Sequence, residues 1–254
     1  MIQVPGGESV KTLSAVALVT MWAMLGLLAP ANAGAPVDSE GAALSDDWQL
    51  ITDRDNIQVF RRDNDDSRMR SFRGVTVMPI EDFAAIGAQL NDYSFIANWM
   101  HMVSEINEIA RRNEQDRDVH VTTFLPWPVS NRDVTLRIQL AQSSDDHIVN
   151  VRYQAQEDVK PPVPGYVRMP EMTGHLRFEP MTAPAVQITF EVVVDPGGFI
   201  PAWLGNVILR DIPYFSLQRL GRMVNQPAYQ GVEDSPIMAP PGWRDAPEPA
   251  PSGS

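Results

Sequence analysis

The sequence contains no cysteine, and only two of its cations, Lys11 and Lys160, are lysines. Without cysteine there is no disulfide, Fe–S cluster, thiolate-bound zinc, thiol nucleophile or lipidated N-terminal cysteine. Positive charge is scarce too: 20 Lys and Arg stand against 32 Asp and Glu, a net charge of −12. That balance argues against a nucleic-acid partner, whose affinity would rest on neutralised phosphates. It argues equally against a broad basic surface clinging to anionic lipid. No G-x-S-x-G, phosphate-cradling loop or dinucleotide fingerprint is present. The histidines, His101, His120, His147 and His175, occur singly, without the i, i+4 pairing of a zinc site. No metal or cofactor is expected. Asp65-Asp66 and Asp145-Asp146 fall between strand-like runs and read as solvated turn residues. Nothing here points to catalysis.

The ends of the chain differ from its middle. Lys11 precedes the apolar run Thr12–Ala29, followed by Pro30 and the small-residue stretch Ala31-Asn32-Ala33. These are the parts of a secretory signal peptide. The expectation is a cleavable leader over 1–33 and an exported, periplasmic protein. The rival reading is an uncleaved membrane anchor, since about 18 apolar residues barely span a bilayer. Cleavage after Ala33 removes Glu8 and Lys11, so the charge stays at −12. Residues 34–45 read as a linker. From 226 to 254 the chain is dense in Pro, Gly and Ser, and a disordered tail is expected. The remainder, 46–225, has the size of one domain.

Within that domain the apolar periodicity changes four times. Asp46–Thr52 reads as a short opening helix anchored by a buried Trp48. Ile57–Arg62 and Met69–Met78 alternate like strands, with Phe72, Val75 and Val77 as apolar positions of the second. Ile80–Leu90 and Tyr93–Met100 carry helical spacing. Six strand candidates follow: Val103–Arg111, Arg117–Leu125, Arg132–Gln142, His147–Gln156, Met172–Glu179 and Ala185–Val194. Each has one greasy and one wet face, the pattern of an antiparallel sheet covered on one side. By this alternation His120 and His175 fall on the wet face, exposed to solvent. Asp195-Pro-Gly-Gly198 reads as a turn, and Phe199–Gln226 as a long helix bent at Pro213. The class is α+β: a strongly curved antiparallel sheet gripping a C-terminal helix.

Five segments carry a family resemblance. They are Trp48 with Asn56–Arg62, Trp127–Asp133, Gly165–Pro170, Gly174–Pro180 and Asp195–Leu204. In this order across 46–225 they resemble the START (StAR-related lipid-transfer) family, within the SRPBCC or helix-grip superfamily. The resemblance implies a helix-grip fold with an apolar tunnel between sheet and C-terminal helix. It implies a lipid held without covalent bonds, such as a sterol or phospholipid, and no catalytic residue. The helix and the loop before the penultimate strand are the parts expected to open.

Taken without that resemblance, the apolar stripe is plain core. With it, Trp99, Leu125, Tyr153, Phe178, Phe190, Trp203, Leu204 and Val207 become candidate ligand-binding residues. The Tyr153 hydroxyl could orient a polar lipid group or bond a neighbouring backbone group; Thr123 is a weaker candidate for the same task. The proline-stiffened loop Glu157–Gly165 is expected at the tunnel mouth, with Val163 and Tyr166 near its rim. Trp127, between two prolines, is a candidate for membrane or ligand contact, or a packed loop anchor. The expected partners are a lipid or other apolar small molecule and, transiently, a membrane; the expected state is a monomer. Two other classes stay open. One is a helix-grip enzyme, a cyclase or hydrolase with a His, Asp or Arg in the cavity, types that the alternation places mainly outward. The other is a ligand-free interaction module.

Overall fold

A computed structural model describes residues 47–65, 69–232 and 234–243, and the side chains of 202–209 lie outside that description. The leader, the linker and the last residues of the tail therefore fall outside it. Among the described residues no helix is long and apolar enough to cross a membrane.

Among the described residues ten strands and three α-helices follow one another: β1 (Trp48–Arg54), β2 (Ile57–Arg62), β3 (Arg70–Pro79), α1 (Ala85–Asn91), α2 (Tyr93–Trp99), β4 (Val103–Asn113), β5 (Asp116–Thr123), β6 (Arg132–Gln142), β7 (Val149–Ala155), β8 (Val167–Arg168), β9 (Glu171–Pro180), β10 (Ala185–Asp195) and α3 (Ala202–Met223), with a short 3-10 turn over Pro227–Tyr229. Nine strands form one antiparallel sheet in the order β1-β2-β3-β10-β9-β7-β6-β5-β4, and two-residue β8 runs parallel to β6. The curved antiparallel sheet with its C-terminal helix is the architecture that the alternation predicts.

The inner face of the sheet is apolar. Val186, Ile188, Phe190, Val192 and Val194 of β10 are all buried, while Gln187, Thr189 and Glu191 point the other way. In β3 the alternate residues Phe72, Gly74, Thr76 and Met78 are buried, as is Ser71 near its start, and Val77 faces solvent. The inner face there has to admit α3. A Cβ on Gly74 would stand 2.8 Å from Leu217 Cδ1 and 2.9 Å from Pro213 Cβ. A glycine thus lets the proline bend of the helix rest directly on the sheet. The Asp92 carboxylate caps α2, accepting from the N–H groups of Ser94 (2.8 Å) and Phe95 (3.0 Å).

Two readings of the sequence are corrected at the ends of the domain. The opening segment is a strand, not a helix. It pairs with β2 across a turn whose two residues, Asp55 and Asn56, both have positive φ, the conformation that a two-residue hairpin demands. Trp48 is only half-buried and lies over the guanidinium groups of Arg73 (4.4 Å) and Arg62 (4.7 Å). The tail is the second correction. Through Trp243 it packs on the domain rather than remaining disordered. Ile237 and Trp243 are buried, and the Trp243 indole N–H donates to Ile80 O (3.0 Å) while its ring meets Phe83 edge-on at 5.2 Å. Tyr229 donates to the Asp92 carboxylate (2.6 Å), and Gln142 exchanges two bonds with the backbone of Met238. A few apolar anchors spaced along a proline-rich strap suffice to hold it.

The outer face is polar but not uniformly wet. Asp133 and His120 are buried there, 0% and 2% exposed, beneath the loop 157–166. Asp133 accepts from Arg168 (2.7 Å), from the Val163 N–H (3.4 Å) and from His120 Nε2 (3.0 Å). Lys160 Nζ lies 3.2 Å from His120 Nδ1. An ammonium only donates, so Nδ1 accepts and Nε2 carries the proton toward Asp133. Burial pushes the Asp133 carboxyl up, but the bonds from Arg168 and His120 outweigh it and hold it below the ordinary value. His120 is therefore not the exposed histidine that the alternation predicts. His175 is half-buried, and burial pushes its imidazole down.

Candidate ligand-binding site

Two adjoining cavities lie against the inner face, with volumes of about 750 and 910 Å³ including their solvent-open space. The first is lined by β5, β10 and the α3 side, through Leu125, Phe190, Val192, Ile200 and Ile212 among others. The second is lined by α2 and strands β4–β7, through Ile96, Trp99, Val121, Leu136, Ile138 and Val151 among others. Met100, Val103, Thr123, Met169 and Met172 line both. The two are lobes of one apolar region. Three of these five are methionines, whose unbranched side chains adapt to irregular space.

The residues singled out from the sequence divide into three groups. Leu125 and Phe190 line the first lobe, Trp99 and Tyr153 the second, and Thr123 both. Phe178 lines neither. It is core, opposite Val149 and Ile188 on the neighbouring strands. Alternation correctly places Phe178 on the inner face, but it cannot tell how far along the strand the space extends. Trp203, Leu204 and Val207 belong to α3, and their side chains lie outside the described residues.

The polar atoms refine this picture. The Tyr153 hydroxyl crosses above Gly174 and donates to the backbone carbonyl of Glu191. Of its two expected roles it fills the backbone one, and burial pushes its ionisation well up. Thr123 likewise donates to Arg132 O (3.2 Å). Polar residues that the sequence reading missed also reach the linings: His101, Arg132 and Ser216 in the first lobe, Arg117 in the second. The expectation that His and Arg point mainly outward does not hold at these positions. Ser216 Oγ accepts from the His101 backbone N–H (2.9 Å), and the His101 ring lies 5.0 Å from Phe215. Burial, then Arg219, push the His101 imidazole down. Arg132 sits inside a motif already singled out, yet only the three-dimensional arrangement brings it to the cavity.

The mouth of the first lobe is built from two segments. Leu125 and Val129 pack against Met102, Ile200 and Ile212, so the loop 124–131 meets the root of α3. Arg132 ties them together, donating to Ser130 O on one side and to Pro196 O (3.1 Å) and Gly197 O (2.9 Å) on the other. Gly197 and Gly198 have φ of +62° and +58°, a conformation that glycine adopts without strain. Phe124, Trp127 and Phe199 are 62%, 91% and 83% exposed, and Phe124 and Phe199 directly precede lining residues Leu125 and Ile200. Trp127 is no packed anchor. Val163 and Tyr166, expected at the rim, line neither lobe; the outer part of their loop covers Asp133 on the opposite face. β8, which follows that loop, comes near the mouth, where a Cβ on Gly197 would meet Arg168 O at 2.9 Å.

An inner-face cavity under a C-terminal helix defines the class of helix-grip proteins, and comparison with known proteins narrows it. No family model matches the sequence. The solved STAR-related lipid transfer protein of Xanthomonas axonopodis is 28% identical, covers 71% of this chain and 100% of its own, and superposes with a TM-score of 0.63. An uncharacterized protein of Pseudomonas aeruginosa is 29% identical over 180 residues, 71% of this chain and 88% of that relative. Mouse phosphatidylcholine transfer protein is 23% identical over 163 residues, 63% of this chain and 75% of its own. The structural neighbours of this chain are thus STAR-related lipid-transfer domains, as its motifs imply.

Proposed function

We propose that the protein carries a single lipid, without catalysis, in the two joined lobes between sheet and α3. The observation that supports this reading is the pair of adjoining, almost wholly apolar cavities on the face that a packed core would fill. A ligand burying roughly 400 Å² of apolar surface gains on the order of 10 kcal/mol gross, at about 25 cal/mol per Å². Association and ordering costs leave micromolar to nanomolar affinity. The exposed Phe124, Trp127 and Phe199 offer an apolar rim for brief contact with a membrane, which a chain of charge −12 cannot hold by charge. Exchange opens the mouth between loop 124–131 and α3, with the turn at Gly197-Gly198 absorbing the motion. The leader over 1–33 fits an exported, periplasmic, monomeric carrier in a bacterial envelope. Among the described residues no carboxylate lines either lobe and no acid is hydrogen-bonded to the His101 ring, which favours carriage over the enzyme reading. Mass spectrometry of organic extracts from the native full-length protein tests the proposal. A defined stoichiometric lipid is expected; an empty protein that takes up none from vesicles overturns it.

A further inference from the structure

Both lobes have polar residues in their linings, yet the surface that they present is almost wholly apolar. The polar groups are engaged elsewhere. Around the second lobe, Tyr153 donates to Glu191 O and Tyr93 to the Glu108 carboxylate (2.7 Å), while Arg117 donates to Asn91 Oδ1 (2.6 Å) and Glu114 O (2.6 Å). Thr123, which lines both lobes, donates to Arg132 O (3.2 Å). Around the first, Arg132 is 2% exposed and turns its guanidinium to the carbonyls of Ser130, Pro196 and Gly197. Ser216 is fully buried, and its Oγ accepts from the His101 backbone N–H. His101 Nδ1 lacks a partner but is itself buried, so it presents nothing to the space.

A site for a lipid with a polar head places a few polar groups where they fix that head. Among the described residues neither lobe presents such a group, and the rim beside the mouth is aromatic, with Phe124, Trp127 and Phe199 exposed. A hydroxyl drawn inside loses its water without gaining a partner, and a carboxylate or phosphate loses far more. A hydrocarbon has no such loss, because apolar burial is non-directional and needs only space that fits its shape. Met100, Met169 and Met172, shared by both lobes, let that space adapt where the lobes join. We infer that the occupant of the two lobes is a hydrocarbon lipid, a long chain or polyene without hydroxyl, carboxyl or phosphate, selected by apolar burial and shape alone. This rests on the carriage reading and gives that ligand a chemical class.

The test is displacement of the fluorescent hydrocarbon diphenylhexatriene from the full chain by hexadecane, hexadecanol and the diol with a hydroxyl at each end. Hexadecane should compete best, and each hydroxyl should weaken binding by on the order of ten- to a hundredfold, the cost of burying it without a partner. The diol cannot keep both ends at the mouth, so it should bind weakest. Hexadecanol binding as tightly as hexadecane, or tighter, would show that a polar end is accommodated, overturning the inference and leaving carriage standing. Phe190→Arg should take up no probe; a folded variant that gives the wild-type series would put the site elsewhere and overturn the inference too. Should that variant fail to fold, the wild-type series decides. Displacement by none of the three likewise overturns the hydrocarbon class. Uptake of dioleoyl phosphatidylcholine from vesicles then separates the two readings: uptake leaves carriage standing, and no uptake removes it as well.

Discussion

The two faces of the sheet handle polar groups in opposite ways. On the outer face, charges are buried only as matched sets: Asp133 with Arg168 and His120 under a loop, and Arg73 with Glu191 at 2.7 Å and little exposure. On the inner face the described linings of the two cavities include no carboxylate, and Arg132 is buried against the carbonyls of Ser130, Pro196 and Gly197. Stability alone favours matched sets or none. The outer face carries paired charges, and the inner face carries both the hydrophobic core and the two apolar cavities.

Removing the centre of the outer cluster should have the largest effect. Asp133→Ala leaves Arg168 and His120 without their acceptor under the loop, and should cost about 3–5 kcal/mol in urea unfolding. A loss below about 1 kcal/mol would break the contrast between the faces. Gly197→Ala should cost about 1–3 kcal/mol, because a φ of +62° strains any other residue and its Cβ would crowd Arg168 O. It should also slow lipid release between vesicles, and unchanged exchange kinetics would remove that turn from the gating motion. Tyr153→Phe sharpens the comparison from the inner side. Its hydroxyl serves the Glu191 carbonyl, so about 1 kcal/mol of stability should be lost with lipid affinity unchanged.

A pH titration separates the faces further. The Asp133 carboxyl ionises below its ordinary value of 3.8 in the fold, so its contribution is fully present above that value. It is lost as the pH falls through the lower folded value. Melting temperature should therefore drop below about pH 4, and Asp133→Asn should flatten that part of the curve. The smallest effect on stability belongs to Trp127→Ser. At 91% exposure it should change unfolding by less than about 0.5 kcal/mol, yet slow transfer between vesicles. Transfer at the wild-type rate would disconnect the exposed aromatics from membrane contact.

Much of the sheet is legible in the sequence because side-chain alternation is a direct consequence of strand geometry. β6 spans Arg132–Gln142 as read, and β10 begins at Ala185 as read. The opening segment is too short for its period to decide between helix and strand, and its pairing with β2 decides it. The strap over 226–243 is masked by composition: proline and glycine dominate, and the anchoring Ile237 and Trp243 lie far apart. Alternation likewise puts His120 on the outer face without saying what covers it. The site is legible by face rather than by extent. Trp99, Leu125 and Phe190 reach the cavity and Phe178 does not, since the position of the void along each strand is set by how α3 lies across the sheet.

The central claim, that the inner face is held open for one lipid, is most directly tested by native mass spectrometry of the full chain beside its Phe190→Arg variant. Phe190 lines the first lobe, and an arginine there should occupy the space the ligand needs. The wild-type protein should carry one lipid per chain, and the variant none, at the same circular dichroism spectrum. Lipid retained by the folded variant, or none in the wild type, would contradict the account.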